Sequence, residues 1–285
     1  MSYSTNHIAD HASQTNPTHY STPETTSAIG QTIIPNNAKK EAAIAKWISR
    51  PLPVNAFCIN PDLICLTDDP SHPLYLPDRP LPGSTQEADE LQELVALQNL
   101  RDDDTALSCT HPGRERHALS TFLTDVRTGR ELGQRFDDES PEAIYRIVLN
   151  DILNATGWSL EAKSQLRMVL DAAMYNARLV AWHYKWRSTR GISVTYRPRP
   201  AEIAPEINVL YAADSPSYPS AHSTLAGSAS SLLASCFPHL RSSLDDLADN
   251  VGLSCLWAGV NYRSDHVNGL RLGNAVAQML SNGFA

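Results

Sequence analysis

Between Leu160 and Trp186 the chain has little choice of backbone. Leu166, Leu170, Met174, Ala177 and Ala181 recur at three- and four-residue steps, while Arg167, Asp171 and Arg178 fall off that stripe. This spacing is the apolar face of one long helix laid against a core, and it is core packing rather than a cofactor-binding box. Ser159 stands where an N-cap belongs. Upstream, Ser140-Pro141-Glu142 combines a capping serine, a proline at the first helical position and a carboxylate in the first turn. That helix should run to about Asn154, where Thr156-Gly157 breaks it. Further helices are expected over Lys39–Ile48, Gln86–Leu100 and His117–Thr128, then over Ala221–Cys236, Ser243–Ala258 and Ser264–Ser281. No stretch alternates with period two, and no internal repeat is visible. The fold class expected is all-α.

The N-terminal third reads differently. Residues 1–36 are rich in Ser, Thr, Asn and His without apolar periodicity, which is the composition of a solvated or wrapping tail. Its histidines, His7, His11 and His19, belong to that polar character and mark no metal site. Prolines recur from Pro51 to Pro82, so an ordered coil is expected there. Residues 37–285 should form a single helical domain. At 285 residues and 42% hydrophobic the chain can bury a large core. A net charge of −8 and a pI near 5.6 argue against a nucleic-acid footprint. Cys58, Cys65, Cys109, Cys236 and Cys255 form neither a CxxC pair nor a zinc spacing. No apolar run is long enough to span a bilayer, and no secretory leader is visible. The expectation is a cytoplasmic protein without membrane partners, taking a small-molecule substrate and compatible with a homo-oligomer.

Three segments carry chemistry. Lys185 ends the long helix and is followed by Arg187, Arg190, Arg197 and Arg199, with Pro198 adjoining. Such cations suit an oxyanion, although a solvated basic loop would look the same. Tyr218-Pro219-Ser220-Ala221-His222 opens a helix, where unpaired N–H groups and the helix dipole favour an anion. A histidine there can give or take a proton, yet alone Ser220 is merely a cap. Ala258-Gly259-Val260-Asn261-Tyr262-Arg263-Ser264-Asp265-His266 bunches polar groups between two apolar runs.

In this order the three segments resemble the vanadium-dependent haloperoxidase and type 2 phosphatidic-acid phosphatase superfamily, over about residues 140–281. The pattern there is a lysine with a downstream Arg-Pro, then Pro-Ser-Gly-His, then an arginine followed by histidine and aspartate. Ala181-Trp182-His183-Tyr184-Lys185-Trp186, Tyr218-Pro219-Ser220 and Gly269-Leu270-Arg271-Leu272-Gly273 look like its bacterial haloperoxidase-like branch. The resemblance implies a helical bundle of the haloperoxidase/acid-phosphatase type whose three segments converge on one phosphate or vanadate pocket. Carried over by position, Lys185 and Arg197 are oxyanion ligands, and Arg190 competes for Arg197's role because the lysine-to-arginine spacing is long. Ser220 gives its hydroxyl, Ala221 its backbone N–H, His222 is the acid/base group, and Asp265 orients the catalytic histidine.

Two positions depart from that pattern. Cys255 stands at the place of the family's second arginine, and Asn261 at the place of its essential histidine. An asparagine amide nitrogen has no lone pair with which to form a phosphoenzyme or bond vanadium. His266, five residues on, would point roughly 140° away from position 261 on a helix, so it does not replace the lost group directly. Asp265 is left to act as a base or to pair with Arg263 or another arginine. The reading that follows is a divergent, vanadate-independent enzyme doing non-redox acid/base chemistry on a small organic substrate, with Asn261 hydrogen-bonding that substrate. The chemistry expected is a rearrangement, cyclisation or isomerisation, as suits specialised biosynthesis. No cofactor is expected, and vanadate is disfavoured. The rival readings are a phosphatase or haloperoxidase with altered ligands, and a non-catalytic protein keeping a vestigial anion pocket.

Overall fold

The computed structural model describes residues 70–108, 120–138, 140–186 and 196–283. The expected tail, the helix over Lys39–Ile48, most of the proline-rich coil and Arg190 lie outside them. Among the described residues there are eight α-helices and no strand. In chain order these are α1 (Thr85–Leu100), α2 (Gly129–Asp138), α3 (Pro141–Asn154), α4 (Leu160–Trp186), α5 (Pro200–Ile203), α6 (Ala221–Cys236), α7 (Arg241–Trp257) and α8 (Arg263–Gly283). None is long and apolar enough to cross a membrane.

Local chemistry sets most of the boundaries. Ser84, Ser140, Ser159 and Ser220 each accept a hydrogen bond from the backbone N–H three residues on, at 3.2–3.4 Å, which satisfies one donor of the first turn. The expected helix over His117–Thr128 is not formed across its described part, since residues 120–128 are turns and coil. Thr128 is an N-cap instead. Its Oγ1 accepts from Glu131 N at 3.1 Å, and the Glu131 carboxylate accepts from Thr128 N at 3.1 Å. This reciprocal box starts α2 one residue later. Before it, Ser120 N is tied to Asn250 Oδ1 on α7 at 2.7 Å, which favours an anchored turn over a helix.

Helix α6 is the axis of the fold. It touches α3, α4, α7 and α8 and is buried on nearly every side. Small residues make that possible. A methyl group at Gly273 of α8 would lie 2.0 Å from Thr224 O, and one at Gly227 of α6 would lie 2.7 Å from Leu270 O. The two backbones are therefore nearly in contact. Hydroxyls buried with α6 find carbonyl partners: Ser228 Oγ donates to Ala173 O and Ser230 Oγ to Leu244 O, so these two hydroxyls enter the core with their donors satisfied. The stripe of α4 (Leu166, Leu170, Met174, Ala177 and Ala181) is buried, as its spacing requires.

A cation-lined cavity at the start of α6

Three chain segments come together where α6 begins. The last turn of α4 brings Lys185, the residue before α5 brings Arg199, and the connection from α7 to α8 brings Asn261. With Ala221 and His222 of α6 they line a cavity of about 330 Å³, whose wall includes Trp182, Tyr211 and Leu225.

Lys185 is 2% exposed, and its ammonium donates to the carbonyls of Pro216 and Ser217. Burial, reinforced by the nearby Arg199 charge, pulls its pKa down to about 7. Arg199 spreads its guanidinium over Ser215 O, Val260 O and Asn261 Oδ1 at 2.6, 2.6 and 3.0 Å. Asn261 is held at both ends of its amide, because Nδ2 donates to Ser217 O at 2.8 Å and to Asp265 Oδ2 at 3.0 Å.

His222 faces the cavity on one side and Cys255 of α7 on the other. Burial alone would lower the histidine pKa. The charge and hydrogen bond of Cys255, together with the Phe136 backbone, reverse that and raise it. Cys255 is 1% exposed, and Tyr211 OH lies 3.8 Å from its Sγ. Burial would push the thiol up, but His222, Tyr211 and Arg199 together bring it down to about 7. Burial and the neighbouring thiol raise the Tyr211 phenol, which keeps its proton.

Several residues placed at the site by sequence lie elsewhere. Arg197 does not line the cavity. Its side chain is fully buried, with NH1 donating to Asp265 Oδ1 and Ser264 Oγ and NH2 to Glu90 Oε2 of α1, each at 2.7 Å. The plane lies 3.6 Å above the Tyr262 ring. A charge enclosed in this way by two carboxylates and a ring joins helices and has no free face for a ligand. Asp265 likewise has no free oxygen, since Oδ1 accepts from Arg197 and Oδ2 accepts from Ser217 Oγ, Asn261 Nδ2 and Tyr262 N. It orients Asn261 instead of a histidine. Ser220 is 0% exposed and spends its oxygen on the cap of α6. Arg263 pairs with Glu93, and His266 sits between Ser223 Oγ and Asp249 Oδ1 at 3.0 and 2.9 Å. These three contacts tie α8 to α1, α6 and α7, away from the cavity.

Sequence spacing alone does not mark Arg199, Tyr211 or Cys255 as residues of this cavity and its surroundings. Arg199 carried a signal as a member of the cation cluster, but nothing in the spacing separates it from Arg197. Cys255 stood out in the sequence only as a missing arginine.

No family model matches the chain, and no curated protein does. Among solved structures it is similar to a bacterial vanadium-dependent iodoperoxidase, with 20% identity and a TM-score of 0.47. That match covers 72% of this chain and 52% of the other, so the chain spans about half the iodoperoxidase's length. It is also similar to a transmembrane PAP2-type phosphatidylglycerolphosphate phosphatase from Bacillus subtilis, with 17% identity and a TM-score of 0.40, over 70% of this chain and 96% of that one. These are the two kinds of protein whose motifs the sequence resembles. Neither similarity assigns a role to a residue.

Proposed function

We propose that the cavity binds the anionic group of a small organic molecule and that His222 moves a proton at that group. The observation that carries this reading is the meeting of Lys185, Arg199 and His222, from three separate elements, around one cavity at the N-terminus of α6. Fixed cations there stabilise charge that develops on an oxygen, and they need no rearrangement when it appears. A histidine within the same cavity supplies the proton transfer. Phe136, Trp182 and Leu225 add apolar surface suited to an organic skeleton, in a wall that also carries Asp137, Glu142, Arg178 and Asp214. Non-redox chemistry follows: a rearrangement, cyclisation or isomerisation through an enolate or oxyanion.

Vanadate does not fit this donor set. Asn261 stands where a nitrogen ligand would be needed, and its amide is committed to Ser217, Asp265 and Arg199. The same argument speaks against a phosphoenzyme at position 261. The test has two arms. Phosphate release from p-nitrophenyl phosphate, and bromination of a dye with vanadate and peroxide, should both stay at background; robust turnover in either sinks the reading. Inorganic phosphate should bind the wild type measurably by calorimetry, and on a substrate found by screening carboxylate- and phosphate-bearing metabolites His222→Ala should lose about 100-fold or more in kcat.

A further inference from the structure

We propose that the outer face of α4 is a self-association surface, along which two copies of this chain pair as antiparallel helices. The inference stands apart from the anion reading above, because it uses none of the buried cations of the cavity.

Helix α4 carries two apolar stripes. The inner one, from Leu166 to Ala181, is buried in the core. The outer one is Met168, Ala172, Tyr175, Leu179, Trp182 and Trp186, in alternating four- and three-residue steps. At about 100° of turn per residue these six positions share an arc of roughly 80°, nearly opposite the inner stripe. Except for Ala172, their side chains are 39–55% exposed. The rings of Trp182 and Trp186 lie 6.3 Å apart, so the apolar surface is continuous at that end. A helix on the surface of one domain needs a single apolar face. Scattered exposed hydrophobics call for no explanation, but a contiguous row of them marks an interface. Steps of four and three, repeated from Met168 to Trp186, are the seam by which one helix packs against another.

The seam is complementary to its own reverse. Antiparallel pairing about a two-fold axis sets Met168 against Trp186, Ala172 against Trp182 and Tyr175 against Leu179 of the second copy. Each layer then joins a smaller side chain to a larger one. The charges beside the seam do not oppose this. Asp171 accepts from Arg146 Nε at 2.8 Å, and Arg178 pairs with Glu142, so each is balanced by α3 of its own chain. Half of the about 150–250 Å² that an aromatic side chain can bury, for three of them, with Met168 and Leu179 added, gives roughly 400 Å² of apolar surface per copy. That is about half of the roughly 800 Å² that each partner contributes to a standard interface, polar flanks included. A reversible dimer is therefore expected. Trp182 also lines the cavity, so pairing braces one of its walls.

Sedimentation velocity of the full-length chain reads the pairing without any knowledge of the substrate. The mass should rise from that of one 31.3 kDa chain at about 1 μM toward twice that value at about 100 μM. Tyr175→Glu and Leu179→Lys each place a charge in the central layers, and each should weaken association about tenfold or more. Both positions are exposed in the single chain, so at low concentration the melting temperature should stay that of the wild type. Mixing the two variants should restore the dimer. In the antiparallel register the carboxylate introduced in one copy meets the ammonium introduced in the other, while the second central layer keeps its native Tyr175 and Leu179. A wild type that stays monomeric up to about 100 μM overturns the proposal, as does a dimer that neither substitution weakens. A dimer lost in both variants and not recovered on mixing overturns the antiparallel pairing.

Discussion

Lys185 holds its charge where water scarcely reaches, and that sets the pH range expected for anion binding in the proposed site. With its pKa brought to about 7, the ammonium is lost as pH rises through neutrality. A bound anion favours the charged form, so binding takes up a proton. Sulfate keeps its charge across this range and is the cleaner probe. Its affinity should fall by up to about tenfold per pH unit above 7, and Lys185→Met should flatten that profile. The stability linkage has the opposite sense. The unfolded chain keeps its lysine proton up to an ordinary pKa near 10.5, so between about 7 and 10.5 it binds more protons than the native state. Stability from this group is therefore full above the ordinary value and lost as pH falls to about 7. At Arg199 a charge-assisted contact is at stake, of about 1.5–3 kcal/mol. Arg199→Ala should weaken sulfate binding roughly 10- to 100-fold by calorimetry, whereas a loss below about threefold would remove it from the anion site.

Between elements, the arginine that sequence put in the cavity does a different job. Arg197 joins Glu90 of α1 to Asp265 at the first turn of α8, and both carboxylates are largely buried. Arg197→Ala would leave them without their hydrogen-bonded counter-charge, at a cost of about 3–5 kcal/mol. A matching drop in the denaturant midpoint, with the m-value unchanged, is the expected result. The contact between α6 and α8 is equally exacting. A methyl at position 273 would meet the Thr224 carbonyl at 2.0 Å, and backbone cannot step aside as a side chain can. Gly273→Ala should destabilise by at least about 1–3 kcal/mol. Because α6 carries His222 and α8 begins just after Asn261, it should also lower anion affinity more than its stability loss alone accounts for.

For the whole molecule, an anion bound at the proposed site would be linked to the fold through the same buried groups. Lys185, Arg199 and the start of α6 are assembled only in the native state, so an anion that binds there stabilises it by mass action. At a phosphate concentration 100 times Kd the gain is about 2.7 kcal/mol. For a domain of this size that is a rise in Tm of roughly 5–10 °C. Differential scanning fluorimetry of wild type against Arg199→Ala checks this, and an equal rise in both places the anion elsewhere.

Much of this protein is legible in the chain taken alone. Helix α4 follows from its apolar stripe, and the starts of α3, α4 and α6 follow from Ser140, Ser159 and Ser220. Those signals act over three or four residues, so periodicity and capping reveal them without reference to the rest of the molecule. The same locality explains the error at His117–Thr128, where a turn anchored to Asn250 of α7 outweighs local helical pattern. The order of Lys185, His222 and Asn261 also marked a shared pocket. What the chain could not settle was which charges are left free within it. Arg197 and Arg199 lie two residues apart and look alike in sequence, yet Arg197 is consumed by Glu90 and Asp265, 107 and 68 positions away. Cys255 acquires its polar setting from Tyr211, 44 positions away, and from His222 on another helix. Desolvation and charge pairing depend on neighbours brought in by the folded chain, so the helices belong to the sequence and the chemistry of the cavity to the tertiary structure.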